Sequence, residues 1–189
     1  MQETIIGLAQ NFVGSNNINL MMPLGQFGSR AEGGKDHASA RYVNSCLSEI
    51  TRLLFRPEDD ALLEYLIDEG KSIEPMWHAP IIPLVLVNGA DGIGMGWSTS
   101  IPCYNPKELC ENVLKLIDKE PVKPMTPWFR GWEGKIELDK PGSYKIYGKF
   151  SRISETTIEI SELPLRRWTT EYKELLEKKM EGNDPMVKV

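Results

Sequence analysis

The residues with the clearest chemical potential are adjacent in the chain, Arg41 and Tyr42. A tyrosine hydroxyl is almost fully protonated at neutral pH, so it is a poor nucleophile without help. A neighbouring guanidinium would favour its ionisation and could hold a phosphate through two parallel hydrogen bonds. The pair is therefore suited to phosphoryl transfer to tyrosine, although a tyrosine beside an apolar stripe more often completes a hydrophobic core.

A glycine-rich segment, residues 25–36, precedes this pair and offers groups that could hold a phosphodiester. Glycines let backbone N–H groups approach a phosphate closely. Charge, polarity and nearness to Tyr42 single out further candidates for nucleic-acid contact. These are Gln26, Ser29, Arg30, Lys35 and His37. For the cationic members, the alternative is that they are only solvated loop charges.

A second unusual segment, residues 88–97, places three glycines around Ile93 and Met95. A β-branched apolar side chain between glycines cannot be shielded by its neighbours. Two interpretations remain open from the residues alone. Ile93 either folds into the core from a tight turn, or forms an apolar wedge that inserts between base pairs and kinks a duplex.

Other common chemistries lack their residues in this chain. The two histidines, His37 and His78, form no HExxH pattern and no Cys/His spacing suited to a metal. There is no GxSxG nucleophile elbow and no GxxxxGK[ST] phosphate loop. Three cysteines, Cys46, Cys103 and Cys110, exclude a disulfide framework and are typical of a reducing compartment.

The composition is that of a globular protein, with 189 residues, 41% hydrophobic and 26% charged. This length suffices for one large domain or two small ones. The net charge of −5 argues against nucleic-acid binding by the whole chain. Residues 1–56 hold five basic and four acidic side chains, which leaves +1 there and −6 for the rest. A local polyanion site on an acidic protein is therefore permitted.

The apolar spacing predicts mixed α and β elements, with Tyr42 on a short strand before a helix capped by Ser48. No run of residues is long and apolar enough to predict a membrane span or a secretory signal. The end of the chain has no terminal signature, so we expect a segment of a longer protein. The predicted helices cover residues 5–13, 57–70, 105–118 and 169–180, and the predicted strands cover 84–87, 135–138, 144–150 and 156–160. The helix over residues 105–118 is predicted to begin at an N-cap, Asn105, followed by Pro106, and to bury Leu109, Val113, Leu116 and Ile117.

Six motifs, in the same order along the chain, resemble eukaryotic DNA topoisomerase II. They lie at residues 8–17, 25–30, 33–36, 39–42, 88–97 and 158–164. The resemblance implies an α/β (α+β) fold, with a winged-helix DNA-cleavage domain at residues 1–85 and the N-terminal part of an α/β tower domain at residues 86–189.

The same resemblance implies roles for three residues. Tyr42 would attack a DNA phosphodiester and become linked to the 5′-phosphate, Arg41 would stabilise the phosphoryl group in the transition state, and Ile93 would intercalate and bend the duplex. The intact enzyme would make a transient double-strand break, pass a second duplex through it and reseal it. Two positions depart from the family pattern, because relatives often carry a small residue at position 37 and threonine at position 95.

The resemblance also implies ATP and Mg²⁺ as cofactors of the full-length enzyme, double-stranded DNA and a homodimer as partners, no membrane partner, and a nuclear location. The family's ATPase domain and Mg²⁺-binding carboxylate domain are not among these 189 residues, so we expect this segment to bind neither cofactor. The main alternative is a non-catalytic DNA-binding or structural module that is inert without the metal-binding domain. A third interpretation is an unrelated acidic α/β protein with coincidental glycine loops.

Overall fold

The computed structural model describes residues 1–181, in which short helices alternate with β-hairpins. The α-helices are α1 (Gln2–Ala9), α2 (Thr51–Leu54), α3 (Leu84–Asn88), α4 (Pro106–Ile117) and α5 (Thr169–Glu181). The strands are β1 (Tyr65–Asp68), β2 (Lys71–Pro75), β3 (Ala90–Ile93), β4 (Ser98–Ile101), β5 (Lys135–Lys140), β6 (Ser143–Tyr147), β7 (Lys149–Arg152) and β8 (Ile158–Glu162). Two 3-10 helices cover Ala40–Tyr42, a single turn, and Pro57–Leu62, two turns.

Each strand pairs with its neighbour in sequence, so the described strands form four two-stranded antiparallel sheets. The pairs are β1–β2, β3–β4, β5–β6 and β7–β8. Together with the helices, they give a mixed α/β fold, in agreement with the predicted fold class at that level.

The chain divides into two compact units, each built from separate stretches of sequence. Unit 1 comprises Met1–Asn16, Pro23–Asn44 and the described residues from Phe129 onward, and unit 2 comprises Asn17–Met22 and Ser45–Trp128. The glycine-rich segment and Tyr42 therefore belong to unit 1, whereas Ile93 belongs to unit 2.

Unit 2 has an aliphatic core around α3 and α4, held together by one buried amide. The core residues are Leu54, Ile82, Val87 and Leu109. The Asn17 side chain donates hydrogen bonds to the carbonyl oxygens of Val87 at 2.9 Å, Tyr104 at 3.2 Å and Trp128 at 3.1 Å. Because unpaired carbonyls are costly to bury, this single amide stabilises three chain segments at once.

Helix α4 confirms the strongest local prediction from the sequence. The Asn105 side chain accepts a hydrogen bond from the Lys107 N–H at 3.0 Å, and a proline occupies the first turn. The prediction that Leu116 and Ile117 are buried was wrong, because both side chains are exposed at the end of the helix.

Two predicted elements have the opposite secondary structure. The predicted helix over residues 57–70 is a 3-10 helix followed by the β1–β2 hairpin, whose turn residues Glu69 and Gly70 both have positive φ. The predicted strand over residues 84–87 is helix α3. The apolar run at 84–87 is too short for its period to separate a strand from a buried helix, and Val87 packs in the core there. Over residues 57–70, the positive-φ turn at Glu69 and Gly70 pairs the two halves of the segment as a hairpin instead of continuing a helix.

Three further predictions needed correction. The first helix ends at Ala9 rather than near residue 13, and the strand predicted over 144–150 is divided into β6 and β7 at Gly148. Tyr42 lies in a 3-10 turn rather than on a strand. The remaining predicted strands and the helix from Thr169 are present.

Candidate nucleophile and nucleic-acid interface

Tyr42 is presented to solvent by a single turn of 3-10 helix in unit 1. Its N–H donates a hydrogen bond to the Ser39 carbonyl at 2.8 Å, and just before the turn the Ala38 N–H donates to the Gln26 carbonyl at 2.9 Å. The Tyr42 side chain is 76% exposed. The alternative that this tyrosine completes a hydrophobic core is therefore wrong, and its hydroxyl is accessible to a large substrate.

Arg41 precedes the tyrosine in the same turn and is also exposed. Within residues 1–181, no carboxylate or carbonyl group pairs with its guanidinium. A guanidinium without an internal partner retains all its donors for a bidentate contact with a phosphate.

The glycine-rich segment is held in shape by an internal hydrogen-bonded loop. The Asp36 carboxylate accepts hydrogen bonds from the Ser29 N–H at 2.8 Å and from its hydroxyl at 2.7 Å. These bonds, the hydroxyl first, hold the pKa of Asp36 below its ordinary value. Ser29, predicted to contact nucleic acid, therefore already has a partner that fixes the loop.

A second anchor for this loop comes from α1 and the residue that follows it. Phe27 is buried, and the Gln10 side chain donates to its carbonyl oxygen at 3.0 Å and to that of Gly34 at 3.4 Å. Gly34 has a φ of 84°, and any Cβ there would collide with the Gln10 amide. The close approach of these two groups therefore requires glycine at position 34.

The most buried charged side chain among the described residues is Glu162, which is 6% exposed. It forms an ion pair with Arg30 and accepts a hydrogen bond from the Glu133 N–H at 3.2 Å. Burial alone would raise the pKa of Glu162, but the bonds from Arg30 and from the backbone outweigh it, and the pKa lies below its ordinary value. Glu162 lies in the motif at residues 158–164, but no sequence signal marked it as the partner of Arg30, which lies 132 positions away.

We expect the substitution Glu162→Gln to lower the free energy of unfolding by about 1–3 kcal/mol, because Arg30 would keep its charge and lose the carboxylate. Because the pKa of Glu162 is lower in the folded protein than its ordinary value of 4.5, the ionised carboxylate stabilises the fold above pH 4.5. This stabilisation is lost as the pH falls through the pKa that Glu162 has in the folded protein. Denaturant unfolding of the chain should therefore show a gap between wild type and variant that narrows below pH 4.5. Exposed Glu155→Gln is the matched control, and an equal effect there would contradict the assignment.

The other loop residues that are predicted to contact nucleic acid differ in whether their side chains already have a partner within unit 1. Exposed Lys35 pairs with Glu171 at 3.1 Å. The His37 ring lies 2.9 Å from the Ala38 carbonyl through Nδ1 and 3.5 Å from a Glu3 carboxylate oxygen through Nε2. Gln26 is exposed. Their contacts with nucleic acid stay predictions.

Ile93 lies at the tip of the β3–β4 hairpin in unit 2. It pairs in register with Ser98, and its side chain is 96% exposed. The alternative in which Ile93 folds into the core is therefore wrong. The tip presents it as an unshielded apolar group, which is the geometry that a wedge between base pairs would need.

Within residues 1–181, no three His, Cys, Asp or Glu side chains group as ligands for a metal ion. We therefore assign no step to a metal ion in this part of the chain. In the same residues, no helix has both the length and the apolar character needed to cross a membrane.

Comparison with known proteins places the whole chain in one family. The family model that describes the A-subunit of DNA gyrase/topoisomerase IV matches residues 1–189. The chain is 55% identical over 192 residues to DNA topoisomerase 2 of Pisum sativum and 52% identical over 184 residues to that of Saccharomyces cerevisiae. These alignments cover 99% and 97% of the chain but only 13% of each relative, so the chain spans about one-eighth of their length.

A solved structure supports the same assignment. The crystal structure of the Plasmodium falciparum topoisomerase II DNA-binding, cleavage and re-ligation domain superposes with a TM-score of 0.90 at 48% sequence identity. The match covers 96% of this chain and 25% of that one. These findings confirm the resemblance in the six motifs: the chain belongs to the DNA gyrase/topoisomerase IV A-subunit family and is a segment related to eukaryotic DNA topoisomerase 2.

Proposed function

We propose that this chain is the tyrosine-bearing segment of a type II DNA topoisomerase that breaks and rejoins both strands of a duplex. The observation that carries the proposal is the exposed Tyr42 hydroxyl beside Arg41, whose guanidinium has no partner within residues 1–181. Family membership over the full chain supports it.

The proposed reaction is a transesterification on phosphorus. The Tyr42 oxygen forms a bond to the phosphorus, the bond from phosphorus to the 3′-oxygen breaks, and that oxygen takes up a proton as the phenol loses one. The product is a 5′-phosphotyrosyl ester with a free 3′-hydroxyl. Arg41 would stabilise charge on the phosphoryl oxygens through paired hydrogen bonds. Since one ester replaces another, resealing needs no further energy input.

We further propose the domain assignment that the resemblance implies, a winged-helix domain at residues 1–85 and the beginning of a tower domain at residues 86–189. Each proposed domain includes residues of both compact units, since both units are built from separate stretches of sequence. The proposed partners are double-stranded DNA and a second copy of the protein, the location is the nucleus, and the full-length enzyme would use ATP and Mg²⁺. The relationship to eukaryotic DNA topoisomerase 2 supports these assignments.

The test uses the full-length protein that carries this segment and a nicked duplex with one labelled end. With Mg²⁺ present, label should become covalently attached to protein, and peptide mapping should place the phosphodiester on Tyr42. Attachment to a different residue would refute the proposed nucleophile. A folded protein that binds the duplex without any covalent transfer would instead be a non-catalytic DNA-binding module.

We expect Ile93→Ala to reduce DNA bending and to weaken binding to a straight duplex by about tenfold, because the apolar wedge is removed. Fluorescence transfer between dyes at the duplex ends measures the bend. Binding of Ile93→Ala to a pre-bent duplex should change much less, since that duplex is bent before the protein binds. The matched control is Ile67→Ala, at an exposed isoleucine of the β1–β2 hairpin. Equal bending by wild type and Ile93→Ala would show that the wedge assignment is wrong.

A further inference from the structure

The tip of the β3–β4 hairpin carries a second exposed apolar side chain, Met95. Its side chain is 99% exposed, and only Gly94 separates it from Ile93. The Gly94 N–H donates to the Trp97 carbonyl at 2.8 Å, so Met95 and Gly96 form the two-residue turn. Gly96 has a φ of 75°, which a turn at this point requires. Met95 therefore lies at the apex of the hairpin.

The surroundings of Met95 favour an apolar contact over an ionic one. Residues 92–101 contain no charged side chain. The nearest carboxylate in sequence, Asp91, accepts a hydrogen bond from the Ser100 hydroxyl at 2.8 Å. The tip thus has no cation that would bind a phosphate, and no carboxylate at its apex that would repel one. On a duplex, apolar surface is found on the faces of the bases and on the sugars in the minor groove.

We propose that Met95 is a second DNA-contacting residue, which packs its thioether against the sugars and base edges next to the step opened by Ile93. The inference rests on the proposed function, because it requires that the hairpin tip engages the duplex. A methionine side chain is unbranched and flexible, so it can follow the irregular surface of a kinked base step. Methionine is also among the residues that act as wedges in bent DNA.

If Met95 contacts the duplex, the residue at position 95 affects the affinity for DNA. Threonine offers less apolar area than methionine and adds a hydroxyl. Met95→Thr should therefore weaken binding to a straight duplex by about fivefold, because the variant loses part of the apolar area that Met95 would bury against the DNA. The matched control is Met76→Thr, at an exposed methionine just after β2.

The decisive measurement is oxidation of the methionines in the full-length protein, with and without duplex DNA. Hydrogen peroxide transfers one oxygen atom to the thioether sulfur, its O–O bond breaks, and water leaves, which adds one oxygen to the peptide mass. Peptide mass spectrometry then reports the rate at each position. With DNA bound to saturation, the oxidation rate of Met95 should fall several-fold while that of Met76 stays the same.

The outcomes separate this inference from the proposed function. If Ile93→Ala reduces bending but bound DNA leaves the Met95 oxidation rate unchanged, the Met95 contact is refuted and the proposed function stands. If protection of Met95 is found and Met95→Thr binds more weakly than Met76→Thr, the contact is established. If the protein binds no DNA, or binds it without bending and without protection of Met95, both assignments fail.

Discussion

The substitution Tyr42→Phe should abolish covalent protein–DNA complexes in the full-length enzyme and leave DNA binding within about twofold of wild type. The change removes one oxygen atom, the proposed nucleophile, and retains the ring. The side chain is largely exposed, so its hydroxyl supports no buried hydrogen bond and the fold should be unaffected. The measurement is label transfer from a nicked, end-labelled duplex in the presence of Mg²⁺, with binding followed separately by anisotropy.

The matched control for this experiment is Tyr147→Phe, because Tyr147 is another exposed tyrosine of unit 1, at the end of β6. It should form covalent complexes at the wild-type level. Adducts that persist in Tyr42→Phe would mean that another residue attacks the phosphodiester. Loss of adducts in both variants would indicate a general defect rather than the loss of a nucleophile.

Arg41→Ala should have the second largest effect, a decrease in the cleavage rate of about a hundredfold or more, which is typical for the loss of one preorganised donor group at a transition state. Binding of intact duplex should fall by less than about tenfold, because one phosphate contact among many is lost. Single-turnover cleavage under saturating DNA separates the two quantities.

Arg41→Lys sharpens this test, since lysine keeps the charge and loses the planar fork that contacts two phosphate oxygens. We expect a rate between those of wild type and Arg41→Ala. Arg56→Ala is the control, because that exposed arginine already pairs with Glu58 at 3.2 Å. A cleavage rate in Arg41→Ala equal to that of Arg56→Ala would exclude a role for Arg41 in the chemical step.

The sequence was sufficient to predict those elements whose hydrogen bonds join residues close together in the chain. Asn105 and the proline after it predicted the start of α4, because capping involves only adjacent residues. The chemistry of Arg41 and Tyr42 and their adjacency in the chain were enough to identify a candidate nucleophile. The exposure of Tyr42 was not predictable, since the same residues fit a tyrosine at the edge of a core.

Interactions between distant parts of the chain account for most of what the sequence did not reveal. The ion pair of Glu162 with Arg30 spans 132 positions, and the amide of Asn17 binds the Trp128 carbonyl across 111. Neither residue has a neighbour in sequence that indicates its partner. The apolar run at the start of α3 was misassigned for a related reason, because packing around Val87 determines its conformation.

The pairing of every described strand with its neighbour in sequence has a consequence for how the chain folds and opens. Hairpins close short loops, so their formation requires little chain entropy and can precede the long-range contacts of Asn17 and Glu162. No hairpin shares a strand ladder with another described sheet, so the opening of one hairpin would break no strand pairing of another. If the hairpin tip contacts a bent duplex as proposed, we therefore expect the β3–β4 hairpin to change its twist or tilt without breaking the strand pairing of another described sheet.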